Sequence, residues 1–180
     1  MSNESQKQII YLISGPLGVG KSTTSKELAQ RVRQCVLIEG DNILHMFQGE
    51  SQPAWDERLR LTWENIRALT RNFMQHGLNV VIDFVVEDEL DWFCEQISDL
   101  NVALKYVVLH ADKATIAQRL TRRGDIQMLE RSLFLLHKME RDPSNRPFLY
   151  DSTTKQTGEI VADIINGSRF TVVQKEGSPP

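Results

Sequence analysis

Three glycines, a lysine and a serine lie close together near the start of the chain, in the stretch SGPLGVGKSTT (residues 14–24). Gly15, Gly20, Lys21 and Ser22 match the pattern GxxxxGK followed by Ser or Thr, with an apolar run before it and a helical pattern after it. In such a turn the glycines let successive backbone N–H groups point at phosphate oxygens, and the helix N-terminus adds partial positive charge. The stretch therefore predicts a cradle for the phosphates of a nucleoside triphosphate.

Side-chain chemistry suggests separate roles within this cradle. Lys21 would reach the β and γ phosphates, and Ser22 would ligate a Mg²⁺ ion that bridges them. The predicted nucleotide-binding residues are Gly15, Pro16, Leu17, Gly18, Val19, Gly20, Lys21, Ser22 and Thr23. The sequence thus predicts ATP, or another nucleoside triphosphate, together with Mg²⁺.

Carboxylates follow two later strand-like runs. Glu39 and Asp41 lie in LIEGDNILHMF, and Asp83 closes NVVID. Alternation along a strand would point Glu39 and Asp41 to the same side, at the sheet edge where parallel α/β proteins bind ligands. Glu39 or Asp83 could then hold Mg²⁺ through water, and Asp41 could accept the proton of an attacking hydroxyl. The competing interpretations are an N-cap of a helix that begins at Asn42, for Asp41, and an ordinary strand end, for Asp83.

The residue after Asp83 helps to separate classes of triphosphate-binding proteins. Motor ATPases usually place a glutamate there that activates water, whereas this chain has Phe84. The NKxD pattern with which GTPases read guanine is also absent from the sequence. The sequence therefore favours transfer of a phosphoryl group, or simple nucleotide binding, over hydrolysis.

The elements that must position these residues alternate along the chain. Apolar, strand-like runs occur at residues 8–14, 35–40, 79–86, 104–110 and 147–151. Most are continuous, as in strands covered on both faces, and helical patterns separate them. The clearest helix spans about residues 56–76, and its predicted buried side chains are Leu59, Trp63, Ile66, Leu69 and Phe73. This order predicts a parallel, three-layer α/β sheet.

The motifs together resemble a known family. GPLGVGKSTTSKELA, followed by IEGDNILH, is similar to the small P-loop kinases that include gluconate kinase, shikimate kinase, adenylyl-sulfate kinase and chloramphenicol phosphotransferase. The resemblance implies a P-loop NTPase fold with five parallel strands in the order 2-3-1-4-5 and a helical lid. It also implies that Asp41 sits against the acceptor hydroxyl, while Glu39 stands where these families usually have aspartate.

The same resemblance implies a basic lid between the fourth and fifth strands. Arg119, Arg122 and Arg123 precede a break at Gly124, and Arg131 follows it. Arginines that close over the triphosphate would stabilise the transferring charge, although a solvated helix face is the competing interpretation. Arg119 and Arg123 share a helix face at spacing four, so they are the preferred catalytic pair, with Lys21 and Asp41.

The resemblance also places the two substrates. It puts the acceptor between Asp41 and the segment that follows, where His45, Trp55 and Arg58 are candidate contacts. Residues 153–156 occupy the position at which related kinases pack a loop against adenine.

Length, net charge and cysteine content narrow the class of protein further. The 180 residues predict one domain at 1–170 and a disordered tail at 171–180. With 21 basic and 24 acidic residues interspersed, the net charge of −3 leaves no basic field for long nucleic acid. Cys35 and Cys94 are predicted to be reduced core thiols, and the polar N-terminus shows no signal or membrane segment, which predicts a cytoplasmic protein.

These observations predict an ATP-dependent phosphotransferase with a small hydroxyl-bearing acceptor. A sugar acid, a nucleoside or nucleotide, and an antibiotic all fit the motifs. Two alternatives remain: a nucleotide-binding switch that signals to a partner, and a kinase of the 5′-hydroxyl end of short oligonucleotides.

Overall fold

A computed structural model describes residues 7–173, which form a central sheet of five strands. The strands are β1 (Gln8–Ser14), β2 (Cys35–Glu39), β3 (Asn79–Asp83), β4 (Val102–His110) and β5 (Leu149–Asp151). They lie in the order β2-β3-β1-β4-β5, and every neighbouring pair is parallel. The predicted fold is confirmed. Because all the strands point the same way, their carboxyl ends meet at one edge of the sheet.

Helices cover both faces of this sheet. They are α1 (Lys21–Arg31), α2 (Gly40–Leu44), α3 (Trp55–Gln75), α4 (Leu90–Gln96), α5 (Lys113–Arg123), α6 (Leu129–Arg141) and α7 (Thr157–Asn166). Side chains alternate along β1: Ile10 and Leu12 pack in a core with α3 and α4, whereas Tyr11 and Ile13 pack in a second core with α1, α5 and α7. The structure therefore has three layers, as predicted.

The third strand is shorter than the predicted run 79–86. The N–H of Phe84 still donates to the carbonyl of Ile13 at 3.3 Å, as the last rung of the parallel ladder whose final register pair is Ile13 with Asp83. Val86 then donates to the hydroxyl of Ser14 at 2.9 Å. The chain after β3 thus crosses toward the end of β1.

The segment after β2 corrects the prediction for Asp41. β2 ends at Glu39 and α2 begins at Gly40, so Asp41 lies in the first turn of a helix and does not alternate with Glu39 on a strand. A Cβ atom on Gly40 would come within 2.4 Å of the ring of Phe84. Only glycine lets the chain turn this close to that ring, and neighbouring sequence carries no sign of the contact.

The long helix α3 matches its prediction except at one side chain. Trp63 and Ile66 are fully buried, and Leu59 and Phe73 pack partly buried against the same core. Leu69, predicted to be buried, is 39% exposed. Thr70 and Met74 continue the buried stripe from Ile66 at spacings of four, which leaves Leu69 at its edge.

The break between the two lid helices is confirmed at Gly124. This residue caps α5 in a left-handed conformation with φ of 79°. A short 3-10 helix (Ile126–Met128) follows the break and leads into α6, which begins at Leu129. A second 3-10 helix (Pro143–Phe148) contains Pro147 and delays β5 until Leu149.

Part of the predicted tail is in contact with the sheet. Thr171 bridges Lys105 of β4, and Val172 donates its N–H to Leu104 at 2.8 Å. Residues 174–180, the remainder of the predicted tail, lie outside the described residues. Within the described range, none of the helices combines the length and apolarity required to span a bilayer.

Candidate active site

The turn between β1 and α1 depends on its glycines for two different reasons. Gly15, Gly18 and Gly20 have φ of 138°, 81° and 99°, which side chains disfavour. A Cβ on Gly15 would lie 2.2 Å from the carbonyl oxygen of Leu109, and one on Gly18 would lie 3.1 Å from Leu120. Gly20 faces open space. The first two glycines therefore allow close packing against β4 and α5, and the third is needed for its conformation alone.

Lys21 closes this phosphate loop at the first residue of α1. Its Nζ donates a hydrogen bond to the carbonyl of Pro16 at 2.9 Å. Desolvation lowers the pKa of Lys21, and the nearby carboxylates of Asp83 and Asp41 oppose this effect. The positive charge of Arg123 acts in the lowering direction. Two carboxylates and one lid arginine thus lie within electrostatic range of the loop lysine.

Asp83 is the most buried carboxylate at this edge, with 7% of its surface exposed. It pairs in register with Glu39 on the neighbouring strand. Burial raises the pKa of Asp83. The charge of Lys21 and a hydrogen bond with the Ser22 side chain lower this pKa, whereas the charges of Asp41 and Glu39 raise it. The structure therefore brings together the lysine, the serine and all three carboxylates that the sequence singled out.

Oxygen donors suited to Mg²⁺ stand beside the loop. Ser22 is exposed and adjacent to Asp83, whereas Glu39 is already engaged by Lys26 at 3.2 Å and by Asn42 at 3.2 Å. Within residues 7–173, no group of three or more His, Cys, Asp or Glu side chains is arranged to hold a metal ion. A hydroxyl, a carboxylate, water and nucleotide phosphates together form a donor set that Mg²⁺ commonly accepts. Ser22, Glu39 and Asp83 stay the predicted metal residues.

Asp41 is exposed at the start of α2. The N-cap position of this helix belongs to Glu39, so the interpretation of Asp41 as an N-cap is wrong. Its backbone carbonyl is 2.7 Å from Nδ1 of His45, which holds that ring against the helix. The carboxylate of Asp41 makes no hydrogen bond within the described part of the chain, so it is available to an incoming hydroxyl.

Arg119 lies behind the phosphate loop. Its guanidinium donates to the carbonyls of Gly18 at 3.4 Å, Val19 at 3.1 Å and Ser152 at 3.2 Å. The hydroxyl of Ser152 also donates to Val19, at 2.9 Å. Arg119 therefore ties the loop to the chain after β5. This geometry fits a positioning role better than the predicted catalytic one.

Arg123 and Arg122 lie one helical turn further toward the lid. Arg123 is exposed, pairs with Asp125 at 3.4 Å and acts electrostatically on Lys21. Both arginines line a cavity of about 290 Å³ on the outer side of the loop. Its remaining lining residues are Gly18, Val19, Gly20, Thr23, Thr24, Arg119, Ser152, Lys155, Thr157 and Ile160. Of the predicted adenine-contacting residues 153–156, Lys155 lines this cavity.

The lid helix α6 is anchored by contacts that the sequence did not reveal. The hydroxyl of Ser132 donates to the carbonyl of Leu17 in the loop at 2.7 Å. Arg131 forms an ion pair with Glu87, in the segment after β3, and so does not face the phosphate loop with a free charge. Lys138 bridges Glu87 at 3.3 Å and Asp88 at 2.8 Å. These partners are more than forty residues apart, so no local pattern could have paired them.

The predicted acceptor contacts fall on the connection between α2 and α3. Trp55 is 52% exposed at the first residue of α3. Arg58 donates to the carbonyl of Leu44 at 3.0 Å, and its guanidinium lies over the rings of Phe47 and Trp55 at 5.7 and 5.6 Å. Arg58 is therefore engaged in holding this connection together.

Comparisons with known proteins agree with the fold. A family model described as an AAA domain matches residues 10–135. The search of curated proteins returned no significant match.

Solved structures share the fold at low sequence identity. A tunicamycin resistance protein from Deinococcus radiodurans is 19% identical, with a TM-score of 0.63 over 88% of this chain and 94% of that chain. A gluconokinase from Sinorhizobium meliloti 1021 is 22% identical, with a TM-score of 0.60 over 89% and 90%. A chain of the Pnkp1/Rnl/Hen1 RNA repair complex is 16% identical, with a TM-score of 0.61 over 77% of this chain and 47% of that one.

Proposed function

We propose that the chain, which belongs to the AAA domain family, is a kinase that transfers the γ-phosphoryl group of ATP to a hydroxyl group of a small molecule. One observation carries the proposal: Lys21 at the start of α1, buried Asp83 at the end of β3 and exposed Asp41 at the start of α2 meet at the carboxyl edge of one parallel sheet, and both carboxylates act on the pKa of the lysine. A loop that only bound nucleotide would not need an unpaired carboxylate within range of its lysine.

The reaction follows from the positions of these groups. Lys21 binds the outer phosphates and stabilises the charge that develops on the γ-phosphoryl group. Asp41 accepts the proton of the acceptor hydroxyl while the oxygen–phosphorus bond forms and the bond to the β-phosphate oxygen breaks, which releases ADP. Mg²⁺, when bound, would neutralise charge on the β and γ phosphates, and Ser22, Asp83 and Glu39 are the residues that would hold it.

The two lid arginines have different parts in this proposal. Arg123, whose charge reaches Lys21, stabilises the transferring phosphoryl group. Arg119 keeps the loop in shape through the three carbonyls that it binds. The cavity beside them would take the nucleoside, with Lys155 on its wall.

Similar proteins support transfer to a small molecule, since one structure is named as a gluconokinase and another as a tunicamycin resistance protein. The RNA repair complex keeps the second candidate open, phosphorylation of a 5′-hydroxyl oligonucleotide. The free thiols of Cys35 and Cys94 are consistent with the reducing conditions of the cytoplasm.

The decisive experiment measures ADP release with and without hydroxyl compounds. A kinase should release ADP slowly alone and much faster with its acceptor, whereas a nucleotide-binding switch should show no dependence on acceptor. Asp41→Asn should lower the stimulated rate about 10²- to 10⁴-fold and leave ATP affinity unchanged. Full turnover by Asp41→Asn would refute the role of this carboxylate.

A second variant tests the phosphate loop. Lys21→Ala should abolish the binding of ATP or its turnover, because it removes the charge that faces the outer phosphates. Unchanged affinity and rate would mean that the nucleotide binds elsewhere.

A salt titration tests the second candidate function. The binding of an oligonucleotide acceptor should weaken steeply as the salt concentration rises.

A further inference from the structure

Exposed apolar side chains concentrate around the proposed reaction centre. Within residues 7–173, five of the seven large hydrophobic side chains that are exposed fall in two segments. Met46 (68%) and Trp55 (52%) lie on the connection between α2 and α3, and Ile126 (47%), Met128 (36%) and Phe134 (57%) lie in the lid. Clustered exposed apolar surface commonly marks a binding site.

Both segments stand at the carboxyl edge of the sheet. α2 follows the carboxyl end of β2. Because α3 leads from this edge to the amino end of β3, its first residue, Trp55, lies near the carboxyl edge of the sheet. The lid is held over the loop by the hydrogen bond from Ser132 to the Leu17 carbonyl, and its Arg123 lies within electrostatic range of Lys21. The two groups of exposed apolar side chains therefore border the approach to the loop and Asp41.

An apolar row connects this approach to the core behind the carboxylates. Trp55, Leu59 and Trp63 follow at spacings of four on α3, so they share one side of the helix. The ring of Trp63 contacts that of Phe84, with centroids 5.4 Å apart. Phe84 in turn packs against Gly40, which precedes Asp41. The row thus leads from solvent to the residues beside the proposed base.

A cavity of about 430 Å³ opens along this row, between α3 and the start of α4. Its apolar walls are Leu59, Trp63 and Trp92. Its polar lining consists of Asp56, Arg60, Glu64 and Glu89. The volume lies within the range of small-molecule pockets, and aromatic walls suit a ring-containing ligand.

The charges on this side disfavour an anionic acceptor. A carboxylate or phosphate on the acceptor would need an available arginine or lysine. Arg60, the one basic residue among the described residues that line the cavity, is paired with Glu64, and Arg58 on the neighbouring connection donates to the Leu44 carbonyl. Arg131 and Lys138 are paired with Glu87 and Asp88, and Arg122 and Arg123 line the separate cavity on the outer side of the phosphate loop. Asp41, Asp56 and Glu89 add negative charge at the same edge.

We infer that the acceptor is a hydroxyl compound with an apolar, ring-containing body and no anionic group, which excludes sugar acids and nucleotides. Its body packs against Met46 and Trp55 and enters the cavity lined by Leu59 and Trp92, while its hydroxyl reaches Asp41. This inference rests on the proposed kinase function, which supplies the role of Asp41.

A matched pair of ligands tests the inference without requiring transfer. We would titrate 3-phenyl-1,2-propanediol and 3-phenyllactate into the full chain with ADP and Mg²⁺ and follow ligand NMR signals. The two probes share the ring and a neighbouring hydroxyl and differ in the carboxylate. The diol should bind at least about tenfold more tightly, because the carboxylate of the acid would face Asp56 and Glu89 in a cavity where Arg60, the one cation among the described lining residues, is already paired with Glu64.

Variants locate the site. Met46→Ser and Trp55→Ser should each weaken diol binding about tenfold, because each removes apolar contact area. Leu69→Ser is the matched control: it removes an exposed apolar side chain from the same helix about 21 Å from Trp55 and should leave binding unchanged.

Three results would overturn the inference: equal or tighter binding of the acid, no binding of the diol at millimolar concentration, or diol binding that survives both substitutions. Failure of the proposed function is a separate result. It would appear as tight diol binding that never accelerates ADP release with any compound of this class.

Discussion

Arg119 and Arg123 lie one helical turn apart on α5, and replacing each with methionine separates bracing of the phosphate loop from stabilisation of the transferring group. Arg119 donates to the carbonyls of Gly18, Val19 and Ser152, two of them within 3.2 Å. A hydrogen bond from a charged group contributes about 1.5–3 kcal/mol. After a discount for partial exposure, we expect Arg119→Met to lower the free energy of unfolding by about 2 kcal/mol.

For a domain of this size, that loss corresponds to a decrease in Tm of about 4–8 °C. The same variant should raise KM for ATP, because the loop that holds the phosphates loses its support from behind. Arg123→Met should behave differently. Its ion pair with Asp125 is exposed, so Tm should change by less than about 2 °C, while kcat should fall about 10³-fold.

The assay pairs thermal unfolding with steady-state kinetics on the best acceptor. Arg122→Met is the matched control, because Arg122 lines the same cavity and has no hydrogen-bond partner within the described residues. The assignment of roles is refuted if Arg119→Met has an unchanged Tm and a strongly lowered kcat. It is also refuted if Arg123→Met has a Tm several degrees lower and an unchanged kcat. Either result would exchange the two roles.

Four further predictions concern packing, a hydrogen bond of the lid and the titration of the thiols. Gly40→Ala should destabilise the protein by about 1–3 kcal/mol in thermal unfolding, since its Cβ would lie 2.4 Å from the ring of Phe84, whereas Gly49→Ala should be neutral, since its Cβ would meet only the Ser51 carbonyl oxygen at an ordinary contact distance of 3.8 Å. Ser132→Ala removes the hydrogen bond from α6 to the Leu17 carbonyl, so KM for ATP should rise about fivefold; an unchanged KM would mean that the lid is held by its ion pairs alone. Burial raises the pKa of Cys35 and Cys94 from 9.0 to about 11, so both thiols should react with iodoacetamide at pH 8 about 100-fold more slowly in the native than in the urea-unfolded protein. Because the folded pKa is the higher one, stability is retained below pH 9 and lost as pH rises through 11, which denaturant titrations at pH 8 and pH 11 would measure.

Local patterns predicted the phosphate loop because the residues of its motif lie within ten positions of one another, whereas its supports from Arg119 and Ser132 come from distant parts of the chain. Its glycines, Lys21 and Ser22 are consecutive or nearly so, and the strand and helix beside them are continuous with the motif. The sheet order came from the resemblance to a family. The predicted end of β3 was wrong because the apolar run continues to Val86, whereas the pairing with β1 ends at Asp83 and the N–H of Val86 donates to the hydroxyl of Ser14 instead.

Side-chain roles were harder to predict than positions. Arg119 and Arg123 share a helix face, yet one meets three backbone carbonyls and the other faces Lys21. Carbonyl groups carry no sequence signature, so no pattern distinguishes a bracing arginine from a reactive one. The ion pairs of Glu87 with Arg131 and Lys138 were missed for a similar reason, because only the fold brings them together.

The contact between Gly40 and Phe84 couples acceptor choice to reaction rate. Phe84 follows Asp83 directly and supports Trp63, the inner end of the apolar row, while Gly40 begins the turn that carries Asp41. Any shift of the Phe84 ring therefore moves the wall that would hold the acceptor body and the carboxylate that would take its proton at the same time. Substitutions in this core should change KM for the acceptor and kcat together, even though none of these aromatic side chains takes part in proton transfer.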